Sequence, residues 1–97
     1  MRYDLPDVDW QTKNWTIPEQ IKKIGEEYSE IAEALALNQP GKVITETLDV
    51  MQTCDTMLSM IMAKYGIPSL NTYFVAHNSK LKYKGYLKEV DYEEKPL

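Results

Sequence analysis

One cysteine, one histidine and one phenylalanine stand in a chain of 97 residues, and their scarcity removes several chemistries at once. Cys54 alone cannot form an internal disulfide, so nothing here asks for an oxidising compartment. His77 has no Glu-x-x-His neighbour and no His/Cys cluster around it, which argues against both a zinc site and a di-iron bundle. Neither a Ser/His/Asp set nor a glycine-rich phosphate loop is recognisable. Long apolar runs are missing too: no segment has the length to span a bilayer, and the opening Met-Arg-Tyr-Asp-Leu-Pro meets an acid before any apolar stretch that a secretion signal needs. These absences predict a soluble, cytoplasmic protein with no membrane partner. Basic charge is in deficit, 11 Lys and Arg against 15 Asp and Glu for a net −4, so no nucleic-acid polymer is expected as a partner.

What is present reads as helix. A hydrophobic content of 43% beside 27% charged residues is globular, and 97 residues make one domain with a modest core, so a partner subunit that completes it is expected. Proline and glycine act as punctuation between three helices, at about residues 17–38, 42–65 and 69–84. The first opens at Thr16-Ile17-Pro18-Glu19, where Thr16 can cap and Glu19 completes a capping box. Its apolar positions Ile17, Ile21, Ile24, Tyr28, Ile31 and Leu35 alternate steps of four and three, the spacing of one buried stripe. Asn38-Gln39-Pro40-Gly41 is a short connection that sends the second helix back antiparallel, until Gly66 and Pro68 stop it. The last ten residues, about 88–97, read as an arm or a frayed tail.

The acids need an explanation. Glu27 and Glu30 fall on one flank of the first helix, and Glu46 and Asp49 lie three apart on one flank of the second, so on antiparallel neighbours the two pairs can converge. An acid-rich helix face is usually just solvated. Against that stand Glu26 and Glu30, like charges at i,i+4, and Asp49, which has no basic residue three or four positions away. Lys22, Lys23 and Lys42 can pair with Glu26, Glu27 and Glu46, but with Lys first, the less favourable order. Four converging carboxylates repel unless a cation neutralises them, and such hard oxygen donors suit Mg²⁺ or Mn²⁺.

Glu26-Glu27-x-x-Glu30 followed by Glu46-x-x-Asp49 resembles the EExxE and ExxD signature of the MazG-like, all-α nucleoside triphosphate pyrophosphohydrolases, over about Trp15 to Tyr86. The "HNSKLKYKGY" ending also looks like phage or prophage members. The resemblance implies an antiparallel helical bundle of the all-α NTP pyrophosphatase type, completed by oligomerisation. It further implies Mg²⁺-dependent hydrolysis of a nucleoside triphosphate to the monophosphate and pyrophosphate. By motif position, Glu27, Glu30, Glu46 and Asp49 are then the metal ligands, and Glu26 joins Glu27 as a catalytic candidate that orients water. Asn78 and Lys82 share a helix face, with Lys84 just beyond; they are assigned to the nucleotide and its phosphates, with Lys80 as a substitute.

Other residues read as structural or stay open. Cys54 lies in the apolar arc of the second helix, which predicts a buried, inert thiol. Met51, Met57, Met60 and Met62 spread wider around that helix than one stripe, which points to a subunit interface and a homo-oligomer, dimer or tetramer. Trp10 reads as packing over the bundle end, whereas Trp15 either packs or stacks on a nucleobase and is kept as a substrate-binding candidate. The competing reading of the whole chain is a non-catalytic, oligomeric helical module that uses its acidic face for contacts; within the enzyme class the near alternative is an all-α dUTPase or dCTPase.

Overall fold

Thr16 decides where the first helix starts. It sits in extended backbone, its hydroxyl accepts the Glu19 N–H, and the Glu19 carboxylate reaches back to the Thr16 N–H at 2.9 Å. This reciprocal pairing satisfies donors that the first turn otherwise leaves without partners. In the computed structural model, which describes residues 4–88, the helix runs Ile17–Ala36 (α1), followed by α2 (Pro40–Tyr65) and α3 (Asn71–Tyr83). Every regular element among the described residues is helical, with no strand. No helix there is long and apolar enough to cross a membrane. The expected C-terminal arm lies outside the described residues, apart from Lys88.

Two compact units are present, the first ending at Ile67 and the second beginning at Pro68. The first contains α1 and α2. Asn38 takes a left-handed backbone, φ 54°, a conformation that Asn tolerates better than most residues, and the chain turns within Leu37–Gln39. The second helix then starts at Pro40, earlier than the sequence spacing suggests, because the first helical position needs no N–H donor. It ends where Gly66 adopts φ 64° and Ile67 donates back to the Met62 carbonyl. The helices run antiparallel: Gln20 near the start of α1 reaches Thr53, while Glu27 further along meets Glu46 and Asp49.

The seam between α1 and α2 is mostly polar. Gln20, Glu27 and Ala34 are buried on α1, and Glu46, Thr53, Thr56 and Met60 on α2, with Ile17, Ile24 and Ile31 half-buried beside them. The apolar stripe expected on α1 is therefore only half right. Ile21, Tyr28 and Leu35 are 60–69% exposed, because α1 is rotated so that the row Gln20, Glu27, Ala34 meets α2. Gln20 is accommodated in this rotation because it donates to the Thr53 carbonyl at 3.0 Å and so keeps a hydrogen-bond partner although buried. Cys54 is likewise exposed, not buried. The apolar arc of α2 is broader than the seam, and Ile44, Leu48, Leu58 and Tyr65 are exposed with it.

A loop ahead of α1 covers one end of the seam. Gln52 Nε2 donates to the Pro6 carbonyl at 2.8 Å, and Trp10 Nε1 donates to Ser59 Oγ at 3.2 Å, so this segment is tied to α2 at two heights. The turn that carries Trp10 is held by Asp9, whose carboxylate accepts from both the Thr12 N–H and its hydroxyl. The second unit contains α3, with the Asn71 N–H donating to Ser69 Oγ at its start and Gly85, φ 73°, just past its end. Lys84 caps it and lies 5.9 Å from the Tyr86 ring centroid.

The capping box predicts that Thr16→Ala lowers stability by about 1 kcal/mol, within the usual 0.5–2 kcal/mol for losing an N-cap. Urea titration checks this, with the midpoint moving and the slope unchanged.

Candidate metal centre

Two turns of α1 and two of α2 bring the acids together. Glu27, Glu46 and Asp49 can each present a ligand atom with all three within 4.8 Å of one another. Glu30 joins them from the next turn of α1, close enough to hydrogen-bond with Glu46. The i,i+3 spacing within each helix and the antiparallel crossing suffice to build this group.

Burial of two of its members sets it apart from an ordinary acidic face, while Asp49 and Glu30 are exposed. Glu27 is 7% exposed and Glu46 9%. One Glu27 oxygen is paired with Lys23 Nζ at 3.1 Å. The other, Oε2, and Glu46 Oε2 are buried with no hydrogen-bond partner. A buried charged oxygen left without a donor or cation is costly, and such atoms are rare in folded proteins. The surrounding seam shows how completely polar groups are otherwise satisfied there. Gln20 donates to Thr53 O, Thr53 Oγ1 donates to Asp49 O, and Thr56 Oγ1 donates to Gln52 O at 3.0 Å.

Electrostatics agree with the geometry. A hydrogen bond with Glu30, then burial, then the charges of Glu30 and Asp49 push the Glu46 carboxyl up to about 7, from an ordinary 4.5. Protonation of Glu46 relieves the repulsion that two neighbouring carboxylates would otherwise feel. Lys23 is held above its usual range by its hydrogen bond and charge pairing with Glu27.

Beside the carboxylates lies a cavity of about 240 Å³, lined by Val8, Trp15, Gln20, Lys23, Glu27, Asp49, Gln52, Thr53 and Thr56. Trp15 forms part of its wall and also borders a second hollow with Trp10, Ile17 and Met60. Glu26 is exposed on α1, and its charge acts on Lys23. Asn78, Lys80 and Lys82 are on α3 and Lys84 is its cap, all in the second unit. Reading the sequence missed Lys23, Gln20, Gln52 and the two threonines as parts of this cavity. The Lys23/Glu27 spacing is the visible signal, a weak one in sequence because Lys precedes Glu along the helix.

A hard divalent cation fits the donor set. All the converging donors are carboxylate oxygens, two of them buried and unpartnered, and no sulfur or imidazole competes within the group. No family model, no curated protein and no solved structure matches the chain.

A raised carboxyl pKa contributes stability that is complete below about 4.5 and lost as pH rises through about 7. In EDTA, wild type should therefore lose stability relative to Glu46→Gln across that window. Millimolar Mg²⁺ should remove the loss, because a bound cation favours the ionised site. Thermal melts of both proteins at a series of pH values, with EDTA and with Mg²⁺, read this directly. Parallel curves for the two proteins in EDTA would contradict it.

Proposed function

We propose that this chain is a Mg²⁺-dependent nucleotide pyrophosphohydrolase of the MazG-like kind, which converts a nucleoside or deoxynucleoside triphosphate to the monophosphate and pyrophosphate. The observation that carries this reading is the pair of buried, unpartnered carboxylate oxygens, on Glu27 and Glu46, facing a group completed by Glu30 and Asp49. Those four residues would hold the ion, with Mn²⁺ an acceptable substitute. When bound it supplies positive charge against the phosphates and the pyrophosphate leaving group.

The chain's own residues supply the rest. Glu27 and Asp49 stand where the carboxylate group opens into the cavity, so a phosphate chain drawn to an ion held there would have the cavity wall beside its nucleoside. That wall offers uncharged groups, Gln20, Gln52, Thr53 and Thr56, which suit the polar edges of a base or sugar, and Trp15 offers a stacking face. Thr53 donates to the Asp49 carbonyl and accepts from Gln20, so it steadies the turn that carries Asp49. Glu26, exposed on the solvent side, is the candidate to orient the attacking water. Asn78, Lys82 and Lys84, the candidates that the sequence pattern offers for base and phosphate recognition, belong to the second unit. A dUTPase or dCTPase activity falls within the same reading, since only the base pocket would differ.

We also assign a homo-oligomer, dimer or tetramer, to the protein, with the bundle completed between copies. Ile44, Leu48, Leu58 and Tyr65 leave a long apolar face on α2, and Ile21, Tyr28 and Leu35 another on α1. A closed symmetric assembly would bury such faces. The same faces favour the second reading, a helical interaction module without turnover.

Two experiments separate the possibilities. Pyrophosphate release from a panel of common and modified triphosphates should require Mg²⁺, and Asp49→Asn should lower it by more than about a hundredfold, beyond the usual effect of losing an outer-shell partner. No turnover on any triphosphate would leave the interaction module standing. Light scattering at micromolar concentration should give a multiple of 11.3 kDa, and a stable, active monomer would remove the oligomer.

A further inference from the structure

Lys23 is the one basic residue among those described that lines the cavity beside the carboxylates. Its ammonium lies 3.1 Å from Glu27 Oε1, yet its side chain is 54% exposed while that of Glu27 is only 10% exposed. The partners are thus unequal. Glu27 is buried in the helix seam, whereas Lys23 reaches it from the cavity wall on a half-exposed, four-carbon stem. An exposed Lys–Glu pair with Lys on the N-terminal side contributes little by itself. Here, however, it places a compact positive charge where a phosphate chain would have to lie.

Resting on the pyrophosphohydrolase reading, we propose that Lys23 is the site's own phosphate-binding cation: it holds Glu27 while no metal is bound and turns to the substrate's phosphates once Glu27 is committed to a metal. The exchange follows from charge. An ammonium and a divalent cation repel when both are held on one carboxylate, and the repulsion is strong where water is partly excluded. The nearest new anion on that wall is the phosphate chain itself, which an ammonium can meet as a point charge with three donors. Lys23 thereby contributes from α1, inside the first unit, a contact that the sequence pattern assigns only to lysines after residue 79.

The test is calorimetry on the full chain with two probes, Mn²⁺ alone and inorganic pyrophosphate in saturating Mn²⁺. Lys23→Gln should bind pyrophosphate about tenfold more weakly, the scale of one charge-assisted hydrogen bond. The same variant should bind Mn²⁺ alone about twofold to fivefold more tightly, because it has lost a competitor for Glu27. Lys23→Arg should keep pyrophosphate within about threefold of wild type, since the positive charge remains. Lys23→Met, which retains the apolar stem, is measured alongside in case the glutamine variant folds poorly, with a melting curve in EDTA for each. Wild-type-like pyrophosphate binding in both Lys23→Gln and Lys23→Met would make Lys23 a structural counter-ion and overturn the inference. If wild type binds no Mn²⁺, the metal-centre reading itself fails and this inference with it.

Discussion

Two helices can bury a pair of glutamates against each other only if something answers the charge, and that requirement organises the first unit. Glu27 and Glu46 occupy seam positions where a helical hairpin ordinarily places leucine or isoleucine. The rest of the seam is adapted to them. Gln20 and Thr53 tie the helices together above the acids, while Thr53 and Thr56 turn their hydroxyls back onto carbonyls of α2. Only Ala34 and Met60 are buried apolar side chains among the described residues. A seam this polar contributes little hydrophobic stabilisation, and the N-terminal loop tied to α2 by Gln52 and Ser59 adds to what holds the unit together.

Much of this was legible in one dimension. Thr16-x-x-Glu19 and Gly66 mark helix ends because each solves a local backbone problem without tertiary help, whereas Pro40 reads as part of the connection and in fact opens α2. The convergence of Glu27, Glu30, Glu46 and Asp49 follows from two i,i+3 spacings and a short antiparallel turn. The rotation of each helix was not legible. The stripe on α1 is wide enough that either Ile17 with Gln20 or Ile17 with Ile21 can face a neighbour, and periodicity favours the apolar pair. The hydrogen bond from Gln20 to Thr53, across thirty-three residues, decides for the polar one. Cys54 is exposed for a related reason: the apolar arc of α2 is broader than the seam, and Cys54 lies on a part of it that the seam leaves uncovered.

Lys23 shows a different limit of sequence reading. Lysine ahead of glutamate at i,i+4 is the weaker order in an isolated helix, where both groups are exposed. Its meaning changes once Glu27 is buried and only one of its oxygens has a partner, and burial is a property of the packed pair of helices. The loop from Pro6 to Trp15 is similar. Nothing in its sequence announces that Gln52 will hold its backbone or that Ser59 will hold Trp10, yet those two contacts shape the cavity in which the carboxylates open.

The account rests on one claim, that the converging carboxylates of α1 and α2 exist to hold a divalent cation. Anomalous scattering from crystals of the full chain grown with Mn²⁺ tests it without reference to turnover or substrate. The account predicts a strong anomalous peak between Glu27, Glu46 and Asp49, with Glu30 within reach of it, and loss of that peak in Asp49→Asn. A map with Mn²⁺ only at surface acids elsewhere, and Glu27 and Glu46 still buried without a cation, would contradict it.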